Sequence, residues 1–251
     1  MNKHKLSSLF FTLIFSISAS AFSTDAERID SYLVTYKSAS IDNKVTMLER
    51  LQWSGISSPR LYDPMEKLLL ENAGSKSTEI VGDKRKLMAH SIRALGFSGN
   101  VKYHETIMLY ERDAASGNLR RYARKALVDL DKFQSWNKLI EASNVNTEDK
   151  PVEVAIYMKM MSSNDVFLQR QAARAIFHEK QTDTDLIALT AEKLKAAYLN
   201  TGIDKPAQDT AAWLCKAIGQ SGIEEYADLL RDAVANSPHR KIQKYAKKYA
   251  I

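Results

Sequence analysis

One stretch of this chain is written twice. Residues 89–127 align with residues 212–250 at a constant offset of 123, without a gap. Nine positions are identical, including Ala89/Ala212, Ala94/Ala217, Gly96/Gly219, Ser98/Ser221, Gly99/Gly222, Tyr103/Tyr226 and Tyr122/Tyr245. Other positions keep their character, as at Leu95/Ile218, Ile107/Leu230 and Leu119/Ile242. A fainter copy opens at Leu51-Gln52-Trp53-Ser54-Gly55, and a degenerate one shows in Ala172-Ala173-Arg174-Ala175-Ile176. A repeat restricts the fold severely. A unit this small cannot bury its own apolar face, so copies must stack and share one core.

The period of the apolar residues says what is stacked. Val45, Leu48 and Leu51 form a stripe at three-to-four spacing, as do Met88, Ile92 and Leu95, then Val154, Tyr157, Met158 and Met161, then Leu186, Leu189 and Leu194. That is the spacing of one helix face. No stretch alternates apolar and polar for more than a few residues, and 9 Gly with 5 Pro in 251 residues are too few for a turn-rich β fold. The chain reads as all-α, an α-α superhelix of helical hairpins. Asp63-Pro64-Met65-Glu66 has the order of a helix start. Gly55, Gly99 and Gly222 stand where left-handed C-terminal residues are wanted. First helices are expected at 83–97, 117–132, 163–180, 204–221 and 237–251, and second helices at 101–116, 133–149, 183–199 and 223–236.

The repeats resemble HEAT repeats, in particular the short bacterial kind first noted in phycobilisome-lyase-like proteins. The resemblance rests on Leu119-Arg120-Arg121-Tyr122-Ala123-Arg124-Lys125-Ala126-Leu127. It also rests on Ala94-Leu95-Gly96 followed by Ser98-Gly99 and a second helix from Tyr103. It covers 83–251 well and 41–75 weakly. Where the family has an acidic residue in the turn between paired helices, this chain has Asn100 and Ile223. The resemblance implies a HEAT/armadillo-type solenoid, with first helices lining one face and second helices the other. It also implies a binding scaffold.

The start of the chain carries an address. Lys3, His4 and Lys5, an apolar run from Leu6 to Ile17, and Ala19-Ser20-Ala21 read as a signal peptide over 1–21. The run is too short to span a bilayer as a helix. The mature chain is expected to begin near Phe22 and to be periplasmic or secreted, with a capping helix over 22–40 and the repeat domain over 41–251. No later stretch is apolar enough to suggest a transmembrane segment. Cys215 is the single cysteine, so no internal disulfide can form, and its neighbours mark it as a small core residue.

Chemistry-bearing motifs are missing. His90, His104, His178 and His239 stand at no metal-ligand spacing, and there is neither a nucleophile elbow nor a phosphate-cradling glycine loop. The expectation is a chain with no catalytic residues, cofactor or metal, hence no enzyme. Charge is more informative. The expected first helices sum to +12 and the expected second helices to −7. One face should therefore be basic and the opposite one acidic. A protein partner docking on second helices would meet Glu105, Tyr110, Trp136, Asp228 and Asp232. The alternative is an anionic lipid head group or acidic glycan on the basic face, through Arg120, Arg121, Arg124, Arg240, Lys241, Lys244 and Lys248. Nucleic acid is not an expected partner for an exported chain.

Overall fold

At three of its four occurrences the Ser-Gly pair ends a helix, the exception being Ser116-Gly117, which opens one. Ser98 Oγ donates to Leu95 O (2.6 Å) and accepts from Asn100 N (3.1 Å). Ser221 does the same with Ile218 O (2.6 Å) and Ile223 N (3.3 Å), and Ser54 with Leu51 O (2.9 Å) and Ile56 N (3.1 Å). The glycine that follows is left-handed in all three, at φ 66, 59 and 69° for Gly55, Gly99 and Gly222. One local sequence thus stops the chain and turns it at three equivalent places.

The computed structural model describes residues 24–250 except 201 and 203; the expected signal peptide lies outside the described residues. The helices are α1 (Asp25–Ser38), α2 (Ile41–Arg50), α3 (Pro59–Glu71), α4 (Gly82–Phe97), α5 (His104–Asp113) and α6 (Gly117–Glu141). They continue as α7 (Val152–Ser162), α8 (Val166–His178), α9 (Thr184–Ala197), α10 (Lys205–Ser221), α11 (Ala227–Asn236) and α12 (Arg240–Lys247). There is no strand among the described residues. The fold is an all-α superhelix of hairpins. Side-chain caps from Thr24, Ser40, Asp165, Asp183 and Asp204 open α1, α2, α8, α9 and α10 by accepting orphan N–H groups of the first turn.

Even-numbered helices form one layer and odd-numbered helices the other. In the first layer α2, α4 and α6 stack in order, as do α8, α10 and α12; in the second, α1 packs on α3, α3 on α5, and α7 on α9. The offset seen in the sequence recurs in the helices, held at 123 over the last three of each set and close to it over the first three. Helices α4, α5 and α6 start at 82, 104 and 117, and α10, α11 and α12 at 205, 227 and 240, a shift of 123 each. The molecule is therefore two six-helix units, α1–α6 and α7–α12. Their interiors join in a single core that holds Leu48, Tyr62, Leu95, Tyr103, Leu168, Ile176, Leu214, Cys215 and Ile242.

Three expectations are corrected. The second helix expected at 133–149 does not exist: nothing breaks the helical pattern after 117, and α6 runs to Glu141. Its last turns instead bury Phe133 against Phe97 and Trp136 against Phe133, and lie on Gly99, where a Cβ would stand 2.5 Å from Gln134 N. Helix α7 takes the second-layer place. The helix start expected at Asp63-Pro64 lies inside α3, which begins at Pro59. Asp63 serves tertiary structure, accepting from Lys102 Nζ (2.5 Å) and Tyr103 Oη (2.8 Å). The pairing also shifts by one helix, since α5 packs mainly on the following α6 and α11 on α12.

The two units meet at α1, the turn after α2, and α7–α8. Arg28 is buried and donates to Asp25 Oδ1 (2.9 Å) and Ser54 O (3.0 Å), with Nε 3.1 Å from Glu153 Oε1. Close by, Tyr157 Oη donates to Glu179 Oε2 (2.6 Å). Burial in this junction raises the Glu179 carboxyl above its ordinary range, against the lowering effect of the Tyr157 bond.

Candidate functional site

Spacing on the first-layer helices of the second unit builds the site. Arg170, Arg174 and Phe177 on α8, Asp209, Trp213 and Lys216 on α10, and Lys241, Tyr245 and Lys248 at α12 recur at three to four residues, so each set lies on one helix face. Trp53 comes from the other unit, from the short turn after α2. Its ring stacks on His178 (5.4 Å between centroids, 13° between planes), and Nε1 donates to Gln171 Oε1 (3.3 Å). His178 lies 5.7 Å from Trp213. The result is an aromatic row, Trp53–His178–Trp213, crossing from one unit into the other.

Cations lie along that row. The Arg174 guanidinium is 5.9 Å from the Trp53 ring and 5.6 Å from that of Trp213. Lys216 Nζ is 3.2 Å from the Trp213 centroid, 4.3 Å from Phe177 and 5.7 Å from Tyr245. Among the described residues neither Arg174 nor Lys216 has an ion pair, nor does Lys248, and Arg174 Nε is buried without a hydrogen-bond partner. The nearest counter-charge is Asp209, which already pairs with Arg170 (2.9 Å) and Lys241 (2.5 Å). Burial lowers the pKa of Arg174, and the neighbouring Arg170 lowers it further. Burial, then Lys248 and Arg174, lowers that of Lys216; burial, then Arg174 and Lys216, lowers that of His178. This patch of like charge is held by rings instead of carboxylates, and it can attract anions.

The residues expected to bind do not gather here, with Lys248 the exception and Lys241 at the margin. On the acidic side, Tyr110 and Trp136 are corrected: both are buried, Tyr110 donating to Leu69 O (2.6 Å) and Trp136 packing edge-on to Phe133. Glu105 and Asp228 are exposed but lie against His104 (3.0 Å) and Arg231 (2.6 Å), while Asp232 accepts from Tyr198 Oη and Asn236 Nδ2. On the basic side, Arg120 is half-buried and caps Ala114 O, a task its counterpart Gln243 repeats on Ser237 O (2.7 Å). Arg124 pairs with Glu111 (3.6 Å), whereas Arg121, Arg240 and Lys244 are exposed. The sequence reading missed Trp53, Arg174, His178, Trp213 and Lys216. Helical spacing could have grouped the last four in pairs, but no sequence signal brings Trp53 to α8.

Among the described residues no group of His, Cys, Asp and Glu could hold a metal ion, and no helix is long and apolar enough to cross a membrane. No family model matches the chain, and no curated protein does. Among solved structures it is similar to human deoxyhypusine hydroxylase in complex with glycerol, at a TM-score of 0.34 and 12% identity over 88% of this chain and 82% of that one. That protein is an enzyme by its name, and the expectation that this chain is not one is withdrawn on that finding. The likeness is too slight to carry an activity across.

Proposed function

We propose that this chain is an exported HEAT-type repeat protein that acts as a scaffold, holding an acidic protein partner on its first-layer face. One observation carries the reading: Arg174, Lys216 and Lys248 share a small area of that face without a carboxylate of their own. Glu105, Asp228 and Asp232 of the opposite layer, by contrast, are engaged with neighbours of their own chain. An unneutralised patch of one sign steers and holds an oppositely charged partner, and its effect falls with salt. The experiment is capture from envelope extract on the immobilised chain at low and high salt, with Lys216→Glu plus Lys248→Glu and with Glu105→Gln plus Asp228→Asn. A partner lost at high salt and by the lysine reversals, but kept by the acidic-side pair, is the expected result. A partner kept by the reversals overturns the choice of face.

A second reading, an anionic lipid head group or glycan at the same ridge, is favoured by one feature. The cations converge on the ring of Trp213 instead of spreading along the helices, which suits a compact ligand group.

A further inference from the structure

We infer that the part of the ridge bounded by Arg174, Lys216 and Lys248 around Trp213 is a binding site for a phosphate-type dianion. The inference rests on the reading of the ridge as a binding surface and names the chemical group it takes. Charge is the first argument. Arg174 and Lys216 lie at one indole, that of Trp213, Lys248 acts electrostatically on Lys216, and the carboxylate nearest them is held by two other cations. A single carboxylate brings one charge and two acceptor oxygens. A phosphate monoester brings about −1.5 to −2 and three acceptors, enough for a guanidinium fork and two ammonium groups together.

Donor geometry is the second. Arg174 Nη1 touches Gln171 Oε1 only at 3.4 Å, and Nε has no partner, so the edge of the guanidinium is largely unused. Nε is covered by the protein, so an incoming acceptor meets the Nη edge, and a guanidinium whose Nη groups make one long bond beside other cations suits acceptor oxygens. The surroundings are the third. Trp53, Phe177 and Trp213 cover part of Arg174 and Lys216, both partly buried, which strengthens a charge–charge contact made there, while Lys248 is exposed. In the first unit the position equivalent to Lys216 is Arg93, and there a protein carboxylate, Asp129, fills the role at 2.5 Å.

Two of the chain's three tryptophans belong to the site, so it can be read optically. The purified chain is titrated with inorganic phosphate at constant ionic strength while indole emission is followed. A parallel series uses vesicles of phosphatidylcholine with and without phosphatidic acid. The expected result is a saturable change in emission, reduced by Trp213→Phe, which leaves Trp53 as the remaining reporter. Its midpoint rises about tenfold or more in Arg174→Gln and in Lys216→Gln, the effect of losing one charge-assisted hydrogen bond. Arg121→Gln, exposed on the first unit, leaves it unchanged. Thermal melts by circular dichroism confirm that each variant is folded. Tighter binding to phosphatidic acid vesicles than to inorganic phosphate assigns a lipid head group as the source; the reverse order assigns a soluble phosphate. The inference is overturned if the folded chain shows no saturable response up to about 20 mM phosphate, beyond a millimolar site. It is equally overturned if the variants respond as the parent does. A partner still captured through Lys216 and Lys248 in that event leaves the docking surface standing without a phosphate site. A phosphate response with no captured partner has the opposite meaning.

Discussion

The two six-helix units share one plan inside and part company on the surface. At the position held by Arg93 in the first and Lys216 in the second, the first unit has a closed pair, Arg93 Nη2 to Asp129 Oδ2 at 2.5 Å. Nearby Lys86 meets Asp42 (2.5 Å), and His90 meets Glu49 (3.4 Å) while lying edge-on to Tyr122. In the second unit His90 becomes Trp213 and Lys86 becomes Asp209, which is occupied on both sides; Lys216 is left to rings. Inside, Ala94/Ala217, Leu95/Ile218, Ile107/Leu230 and Ala123/Ala246 are all buried. Core packing demands volume and shape, so it holds the interior to the plan. The first-layer surface bears no such demand. Where a surface gives up its own counter-charges, the difference points to something outside the molecule.

The comparison is broken most strongly at its two glycines. Gly99 and Gly222 are both left-handed, but a Cβ at Gly99 would collide with the α6 backbone, whereas nothing stands within 4 Å at Gly222. Gly99→Ala should cost about 3 kcal/mol, a left-handed penalty plus overpacking, and Gly222→Ala about 1 kcal/mol. Urea unfolding of both measures it, and equal losses would show that α6 does not lie on Gly99 as described.

Next come the paired and unpaired cations. Arg93→Gln strands the half-buried Asp129, whose carboxyl burial already pushes up, and should cost about 1–2 kcal/mol. Lys216→Gln removes a cation from a like-charged patch and should change stability by less than about 0.5 kcal/mol, on the stabilising side. A large loss at Lys216 would make the ridge a structural feature and sink the contrast between the units.

The smallest effect is at the junction. The folded-state pKa of Glu179 is raised, so the folded chain holds that proton more tightly than the unfolded one. Stability from this group is greatest below its unfolded pKa and is lost as pH rises through the folded value. Denaturation midpoints of the parent minus those of Glu179→Gln should therefore increase as pH falls from neutral into the acid range. A flat difference would mean that Glu179 is not buried as described.

Much of this was legible in the sequence because it is local. Ser-Gly turns, apolar stripes and the offset of 123 each involve residues a few positions apart or one copy compared with another, and they yield the layers and first-layer helices. The fate of 133–149 was not legible, since a helix continues or stops there according to whether Phe133 finds Phe97 and Trp136 finds Phe133. Asp63-Pro64 misled for a related reason: the earlier Pro59 satisfies the same start rule, and tertiary contacts with Lys102 and Tyr103 claim Asp63. The basic character of the first layer could be summed from charges. Which cations remain without partners depends on side chains some forty residues or more apart, such as Arg170 with Asp209 or Trp53 with His178.

Cys215 sits fully buried on α10, beneath the ridge helices, and burial pushes its thiol up to about 12. Only the thiolate reacts with disulfide reagents, so in the closed fold this sulfur is silent. Each reaction therefore records a moment when α10 has parted from its neighbours. The rate of labelling is a clock for the breathing of the second unit. Because the chain has this one sulfhydryl, the clock needs no engineered probe, and a ligand that pins α8, α10 and α12 together would slow it.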